Sequence, residues 1–102
     1  MKEVQVLGVE NEELKIALSG DIDVGNVDEF FAVVETAYSS TKKTIAFDCQ
    51  QLSFIDSTTL GVFVKITKLT EADGNKVRLL GLQARIKKLF TICALGSRME
   101  IA

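Results

Sequence analysis

The stretch from residue 44 to residue 64, TIAFDCQQLSFIDSTTLGVFV, decides the fold class of this chain. Residues 44–49 form a short apolar run rich in Thr, Ile and Phe, which is typical of a buried β-strand. Residues 50–55 are interpreted as a connector. From Ser57 onward, a helix is predicted because apolar side chains recur along one side at helical spacing: Leu60, Phe63, Val64, Thr67 and Leu69. A buried strand followed by an amphipathic helix indicates an α/β fold with parallel strands.

Two strands and one helix are predicted before this stretch. Valines within residues 4–9 indicate a first strand, and the apolar-polar alternation over residues 14–19 indicates a second. The polar, turn-like residues 8–13 join them, so an antiparallel hairpin is expected. Residues 27–38 repeat apolar side chains at helical spacing, and Asn26 suits the cap of that helix because short polar side chains bind free N–H groups.

A strand and a helix are predicted after the central stretch. Gly74 is the expected left-handed stop of the second helix. Residues 76–82 then predict a strand, and Gln83 opens a third helix that Gly96 ends. Its inner side is expected to carry four residues: Ile86, Leu89, Phe90 and Cys93. Residues 99–101 suit a short final strand.

This order of elements predicts a single α/β domain spanning residues 1–102. Strands that alternate with helices imply right-handed crossovers and a largely parallel sheet. We therefore expect a mixed, mostly parallel sheet of four or five strands, with an antiparallel N-terminal edge and three or four helices. A chain of 102 residues with 47% apolar residues is long enough to bury a core of its own.

The composition excludes several classes of function. A net charge of −2 argues against nucleic acid as a direct partner, because binding phosphates requires a basic face. No signal peptide and no membrane-spanning run is recognised, so a cytoplasmic location is expected. Cys49 and Cys93 each lie in an apolar run and are interpreted as small buried side chains.

The chain contains no histidine, which argues against an enzyme. Catalytic triads that depend on histidine are excluded, and so is the commonest zinc ligand. No glycine-rich phosphate loop is present either. We therefore expect no catalytic residues, no cofactor and no metal.

Two turns carry the candidate functional residues. In open parallel sheets, functional loops gather beyond the carboxyl ends of the strands. Residues 20–23 follow the second strand and residues 56–59 follow the third, and both turns carry acidic groups. If these strands pair, Asp23 and Ser57 lie near each other on one rim. Ser57 begins the second helix, where its hydroxyl could cap free backbone N–H groups.

Three segments together resemble one known family. Residues 54–64, FIDSTTLGVFV, are similar to the signature of the anti-sigma factor antagonists, the single-domain members of the STAS family, in which an apolar residue precedes Asp-Ser-Ser/Thr-Gly-Leu-Gly and an apolar helix. Residues 18–23, LSGDID, resemble the second signature, Leu-x-Gly-Glu/Asp-apolar-Asp. Residues 89–95, LFTICAL, resemble the C-terminal helix, which often reads Leu-Phe-x-x-x-Gly-Leu. The matches keep the family's order and extend over nearly the whole chain.

The resemblance implies a partner-switching role. The unphosphorylated domain would bind an anti-sigma factor that is also a serine kinase, and would thereby free a sigma factor. Phosphorylation of the serine would break this complex, and a serine phosphatase would restore it. Carried over to this chain, the phosphoacceptor is Ser57, and the partner-binding residues are Asp23, Asp56, Ser57, Thr58, Thr59 and Gly61.

One departure from the family pattern concerns partner binding. Thr59 stands where the family usually has glycine, and a β-branched side chain fills space that glycine leaves open. We expect this difference to affect the docking of the usual partner or recognition by the usual kinase. Ala94, in place of another common glycine, is a milder change.

Two other functions are consistent with the sequence. The first is a STAS scaffold in a stress-signalling assembly, which would bind proteins without being phosphorylated. The second is a receiver-type phosphoryl acceptor that uses Asp48 or Asp56 with magnesium, since acidic groups near strand ends could supply oxygen ligands. The acid pair and lysine that such a site needs cannot be assembled from the strand ends.

Overall fold

A computed structural model describes residues 1–93 and 98–102 as a five-stranded sheet with three helices. In chain order the elements are β1 (Val4–Glu10), β2 (Glu13–Ile22), α1 (Val27–Thr41), β3 (Thr44–Ile55), α2 (Ser57–Glu71), β4 (Val77–Leu80), α3 (Ala84–Ile92) and β5 (Glu100–Ile101). The strand order is β1-β2-β3-β4-β5, with β1 antiparallel to β2 and the other pairs parallel. The predicted α/β class, the antiparallel edge and the short final strand are thereby confirmed.

The helices lie on one face of the sheet. Successive parallel strands are neighbours in chain order, and right-handed crossovers then place every connecting helix on the same side. Four phenylalanines join the layers. The Phe63 ring of α2 lies 5.4 Å from Phe30 of α1, 5.4 Å from Phe47 of β3 and 5.3 Å from Phe90 of α3, measured between ring centroids. These contacts fix α1 and α3 on either side of α2.

The opposite face of the sheet carries ion pairs. Arg78 of β4 binds both carboxylate oxygens of Glu13 of β2, at 2.7 and 2.8 Å. Lys15 lies 3.0 Å from Glu13, and Glu100 of β5 adds a longer contact to Arg78 at 3.4 Å. A face covered by charged side chains needs no helix against it, which agrees with the alternation of buried and less buried residues along β2.

The predicted connector at residues 50–55 is wrong, because β3 continues to Ile55. Two register irregularities against β2 interrupt the period-two pattern, one after Ala17 and one after Gly20. Beyond them, Leu52 and Ile55 are again buried in the core. Because the irregularities break the alternation of apolar and polar residues, the sequence of the second half of the strand resembles that of a loop.

The hairpin turn and the first helix begin or end at other residues than the sequence predicted. The turn is confined to Asn11 and Glu12, which have φ values of 54° and 65°. Gly8, predicted to lie in the turn, belongs to β1 at a register shift and has a φ of 100°. The first helix runs to Thr41, through part of the polar segment that was expected to break it. Polar residues on the exposed side of a helix do not end it, and here the left-handed Lys42 does.

The third helix buries fewer residues than predicted. Ile86 and Phe90 face the core, but Leu89 is 38% exposed and Cys93 is exposed. The helix ends at Ile92, so Cys93 lies beyond its last turn rather than on its inner side. The predicted helix stop at Gly96 and the substitution at Ala94 lie outside the described residues.

A hydrogen-bonded cluster closes the edge of the molecule that lies opposite the carboxyl ends of β2 and β3. The Tyr38 hydroxyl of α1 donates to Asp73 at 2.8 Å and accepts from Asn75 at 2.9 Å. Asn75 also donates to the carbonyl of Lys42 at 2.8 Å. The end of α1 is thus tied to the loop between α2 and β4. Within the described ranges, no helix is both long enough and apolar enough to cross a membrane.

Candidate functional site

The two acidic turns meet at one rim, as the sequence predicted. Ile22 and Ile55 are partners in the parallel ladder, so the chain leaves β2 and β3 at the same end of the sheet. Directly beyond, the carboxylate of Asp56 accepts the backbone N–H of Val24 at 3.0 Å. The turn that contains Asp23 therefore contacts the beginning of α2, where Ser57 lies.

Asp56, rather than Ser57, caps α2. Its Oδ1 atom accepts the backbone N–H of Thr59 at 3.1 Å, and the Thr59 hydroxyl accepts the Asp56 N–H at 3.4 Å. This reciprocal arrangement is a capping box, and it satisfies the free N–H groups at both positions. The predicted capping role of the Ser57 hydroxyl is corrected accordingly, because the preceding aspartate already fills that position.

The carboxylate of Asp56 is held in its ionised form. The Thr58 hydroxyl donates to Oδ1 at 2.5 Å, and further donors are the backbone N–H groups of Val24 and Thr59. These hydrogen bonds, that of Thr58 first, lower the pKa of Asp56 from 3.8 to about 2 against the opposing effect of desolvation. The rim thus carries a fixed negative charge beside Ser57 at neutral pH.

Ser57 is exposed as the first residue of α2. Among the hydrogen bonds between described residues, none engages its hydroxyl, since the neighbouring donors and acceptors are paired through Asp56. A helix N-terminus offers a favourable field to an added anion. The arrangement therefore leaves an accessible nucleophilic hydroxyl where a phosphate would be compatible with the fold.

The remaining members of the predicted set divide into exposed and buried residues. Thr58 and Gly61 are exposed, and a methyl group at Gly61 would meet no atom within 4 Å among the described residues. Thr59 is fully buried and donates its hydroxyl to the carbonyl of Ile22 at 2.5 Å. The side chain points inward and ties α2 to the end of β2, and the role of Thr59 in partner binding stays a prediction.

The turn after β2 is closed by hydrogen bonds and presents a residue that the sequence did not single out. Asp23 accepts the N–H of Gly25 at 2.9 Å, and the side chain of Asn26 binds the N–H of Asp23 and the carbonyl of Asp21, both at 2.9 Å. Asn26 therefore bonds to this turn and not to the first turn of α1, which corrects its predicted capping bond. Val24, at the tip, is 71% exposed. The only sequence feature that could have indicated Val24 is its apolar side chain within an otherwise polar turn.

The receiver-type alternative is not supported by this geometry. Asp48 lies in the middle of β3, where its carboxylate accepts the N–H of Gln50 at 3.1 Å. Asp56 follows it by eight positions along the extended chain, which corresponds to ~25 Å at the usual rise. Residues 1–93 and 98–102 contain no group of three or more Cys, Asp or Glu side chains placed to hold a metal ion.

Comparison with known proteins gives consistent matches along nearly the whole chain. The family model described as the STAS domain matches residues 4–102. An anti-sigma-B factor antagonist of Staphylococcus aureus is 29% identical over 87 residues, covering 85% of this chain and 81% of that protein. The anti-sigma-B factor antagonist of Listeria monocytogenes is 26% identical over 98 residues, covering 96% of this chain and 86% of that protein.

Solved structures show the same fold. The anti-sigma factor antagonist SpoIIAA in its unphosphorylated form superimposes with a TM-score of 0.77 and 25% identity, covering 97% of this chain and 86% of that one. The Bacillus cell fate determinant SpoIIAA in the phosphorylated form gives a TM-score of 0.75 and 29% identity, covering 97% and 90%.

Proposed function

This chain belongs to the STAS domain family, and on that premise we propose that it is an anti-sigma factor antagonist that is switched by phosphorylation of Ser57. Unphosphorylated, it binds an anti-sigma factor that is also a serine kinase, and a sigma factor is freed. Phosphorylation releases the complex, and a serine phosphatase resets it. The protein acts in the cytoplasm as a binding module and not as an enzyme.

The observation that carries this proposal is the exposed hydroxyl of Ser57 at the start of α2. Because Asp56 caps the helix, the serine is not needed for the fold and is available to a kinase. The relatives with the same fold include one whose structures are described as unphosphorylated and phosphorylated forms. Those descriptions concern that protein and support the same chemistry for Ser57.

The charge of a phosphate explains how the switch would work. A phosphoserine carries about −1.5 to −2 charges at neutral pH. The N-terminus of α2 accommodates that charge, so the domain stays folded. A packed interface does not, because the anion would be desolvated next to the ionised carboxylate of Asp56. A loss of about 2–3 kcal/mol would weaken binding roughly 30- to 150-fold.

The other exposed residues of the rim have supporting roles in this proposal. Thr58 and Gly61 lie beside Ser57 on the first turns of α2 and form the surface that the partner covers. Asp23 and Asp56 flank the phosphoacceptor through the contact between the two turns. Thr59 contributes indirectly, because its buried hydroxyl holds the start of the helix against β2.

The test combines phosphate transfer with binding. The purified chain is incubated with ATP and the anti-sigma factor kinase of the same cell, and the phosphosite is mapped by mass spectrometry. We expect phosphate on Ser57 in the wild type and none in Ser57→Ala. Ser39→Ala is the matched control, because Ser39 is an exposed serine near the end of α1, at the opposite edge of the sheet.

The affinity of the anti-sigma factor for the unphosphorylated wild type and for each variant is measured in parallel. Ser57→Asp should bind the anti-sigma factor at least 30-fold more weakly than the wild type, whereas Ser57→Ala should bind within a few-fold. Equal affinities for the wild type and Ser57→Asp would remove Ser57 as the switch. Tight binding without any phosphorylation would instead favour the scaffold function.

A further inference from the structure

The turn that presents Val24 is tied down by its own hydrogen bonds and by one to Asp56. Three residues of the turn bond to one another, through the carboxylate of Asp23 and the amide of Asn26. The backbone N–H of Val24 itself is bound by Asp56 at 3.0 Å, which anchors the tip to the start of α2. A side chain on such a tip loses little conformational freedom on binding, and this raises affinity.

Val24 is also the most exposed large apolar side chain among residues 1–93 and 98–102. With 71% of the residue exposed, burying this apolar side chain against a partner would contribute favourably to binding. The hydrogen bond from Val24 to Asp56 places it next to the phosphoacceptor turn, so the two features belong to one continuous surface.

The charges around Val24 indicate what this partner surface looks like. Residues 20–26 and 56–61 contain three carboxylates, Asp21, Asp23 and Asp56, and no lysine or arginine. A complementary surface has a basic rim around an apolar centre, because like charges in an interface are unfavourable. A basic rim would attract a phosphate on Ser57, so release of the partner rests on the space that the phosphate fills and on its desolvation beside the carboxylate of Asp56.

We propose that Val24 is the apolar anchor of the partner-binding surface, positioned by Asp56, and that it inserts into a basic-rimmed apolar pocket of the anti-sigma factor. The inference rests on the proposed function and names the partner chemistry of the same site. Binding buries the valine side chain, and the negative charge of these segments orients the approaching partner. Phosphorylation of Ser57 would then act on the contact next to this anchor.

The test measures the affinity of the purified anti-sigma factor for Val24→Thr. This substitution keeps the β-branched shape and the turn, but it buries a hydroxyl in an apolar pocket, so we expect binding about tenfold weaker. Val9→Thr is the matched control. Val9 is 48% exposed on β1 and pairs with Leu14 at the start of β2, at the other end of the sheet from the rim. The affinity of the anti-sigma factor for Val9→Thr should stay within twofold of its affinity for the wild type.

A second variant tests the charge complementarity. Binding of the wild type should weaken as salt increases, and Asp21→Asn should reduce that salt dependence, because it removes one of the three carboxylates. Thermal unfolding of each variant shows that the fold is retained. An affinity of Val24→Thr equal to that of the wild type, with Ser57→Asp still weakened, would overturn the anchor and leave the proposed function intact. Failure of the wild type to bind the anti-sigma factor would overturn both.

Discussion

The Oδ2 atom of Asp56 lies 3.0 Å from the backbone nitrogen of Val24, which precedes it by 32 positions in the chain. The other oxygen of the same carboxylate caps α2 through Thr59 at 3.1 Å. One side chain therefore sets both the position of the exposed Val24 turn and the start of the helix that carries Ser57. This coupling places the proposed anchor and the proposed phosphoacceptor on a single surface.

The buried hydroxyl of Thr59 should contribute measurably to stability. Thr59→Val keeps the shape of the side chain but removes the hydroxyl that donates to the Ile22 carbonyl. The free energy of unfolding should therefore fall by about 1–3 kcal/mol. Thr67→Val is the control, because the Thr67 hydroxyl donates to the Phe63 carbonyl within its own helix. It should cost less than about 1 kcal/mol. Urea unfolding compares the two, and equal losses would contradict a special role for Thr59.

The ionisation of Asp56 should appear in acid stability. Its pKa, lowered to about 2 in the folded chain, lies below the ordinary 3.8, so the folded state favours the ionised form. The resulting stabilisation is complete above about pH 4 and is lost as the pH falls towards 2. Urea unfolding at a series of pH values should show the wild type losing stability over this window more steeply than Asp56→Asn. If the free energies of unfolding of the two proteins fall in parallel over this pH window, the pKa of Asp56 is not lowered.

Charge at Ser57 should leave the fold nearly unchanged. Ser57→Asp puts a negative group on the first residue of α2, where the helix dipole favours it and the nearby carboxylate of Asp56 opposes it. The free energy of unfolding should therefore change by less than about 1 kcal/mol. Ser57→Lys, with the opposite charge, serves as the comparison. A large loss of stability in Ser57→Asp would mean that phosphorylation acts by unfolding and not by changing the interface.

The phenol of Tyr38 should titrate later in the folded chain than in the unfolded one. Burial, with the neighbouring carboxylate of Asp73, raises the pKa of Tyr38 above its ordinary value of 10. Because the folded state holds the proton longer, stability falls as the pH rises from about 10 towards that higher pKa. Tyr38 is the only tyrosine and the chain has no tryptophan, so absorbance at alkaline pH reports this group alone. If the absorbance titration curves of Tyr38 in buffer and in denaturant coincide, the pKa of this group is not raised by folding.

The two thiols should differ in reactivity. Burial raises the pKa of Cys49 to about 12, whereas Cys93 is exposed. A thiol reagent at neutral pH should therefore modify one cysteine rapidly in the folded chain and two after unfolding. Cys93→Ser should abolish the rapid phase. Its persistence in that variant would place Cys49 within reach of solvent.

Much of the fold was predictable because its signals are local. Helical and strand periodicity located the helices and the strands, except for the second half of β3, and their order implied a parallel sheet with an antiparallel edge. The same order predicted that the turns of Asp23 and Ser57 share a rim, since neighbouring parallel strands end at the same edge. The rest of the site depends on contacts that are distant in the chain.

The sequence by itself determined which elements form and which end of the sheet carries the acidic turns, because hydrophobic periodicity and chain order act through near neighbours. Only the tertiary structure decided that β3 reaches Ile55, that Thr59 points inward, and that Val24 stays exposed. The physical reason is that these outcomes rest on strand register and on hydrogen bonds spanning more than thirty positions, such as Thr59 to Ile22 and Val24 to Asp56. No local pattern contains that information.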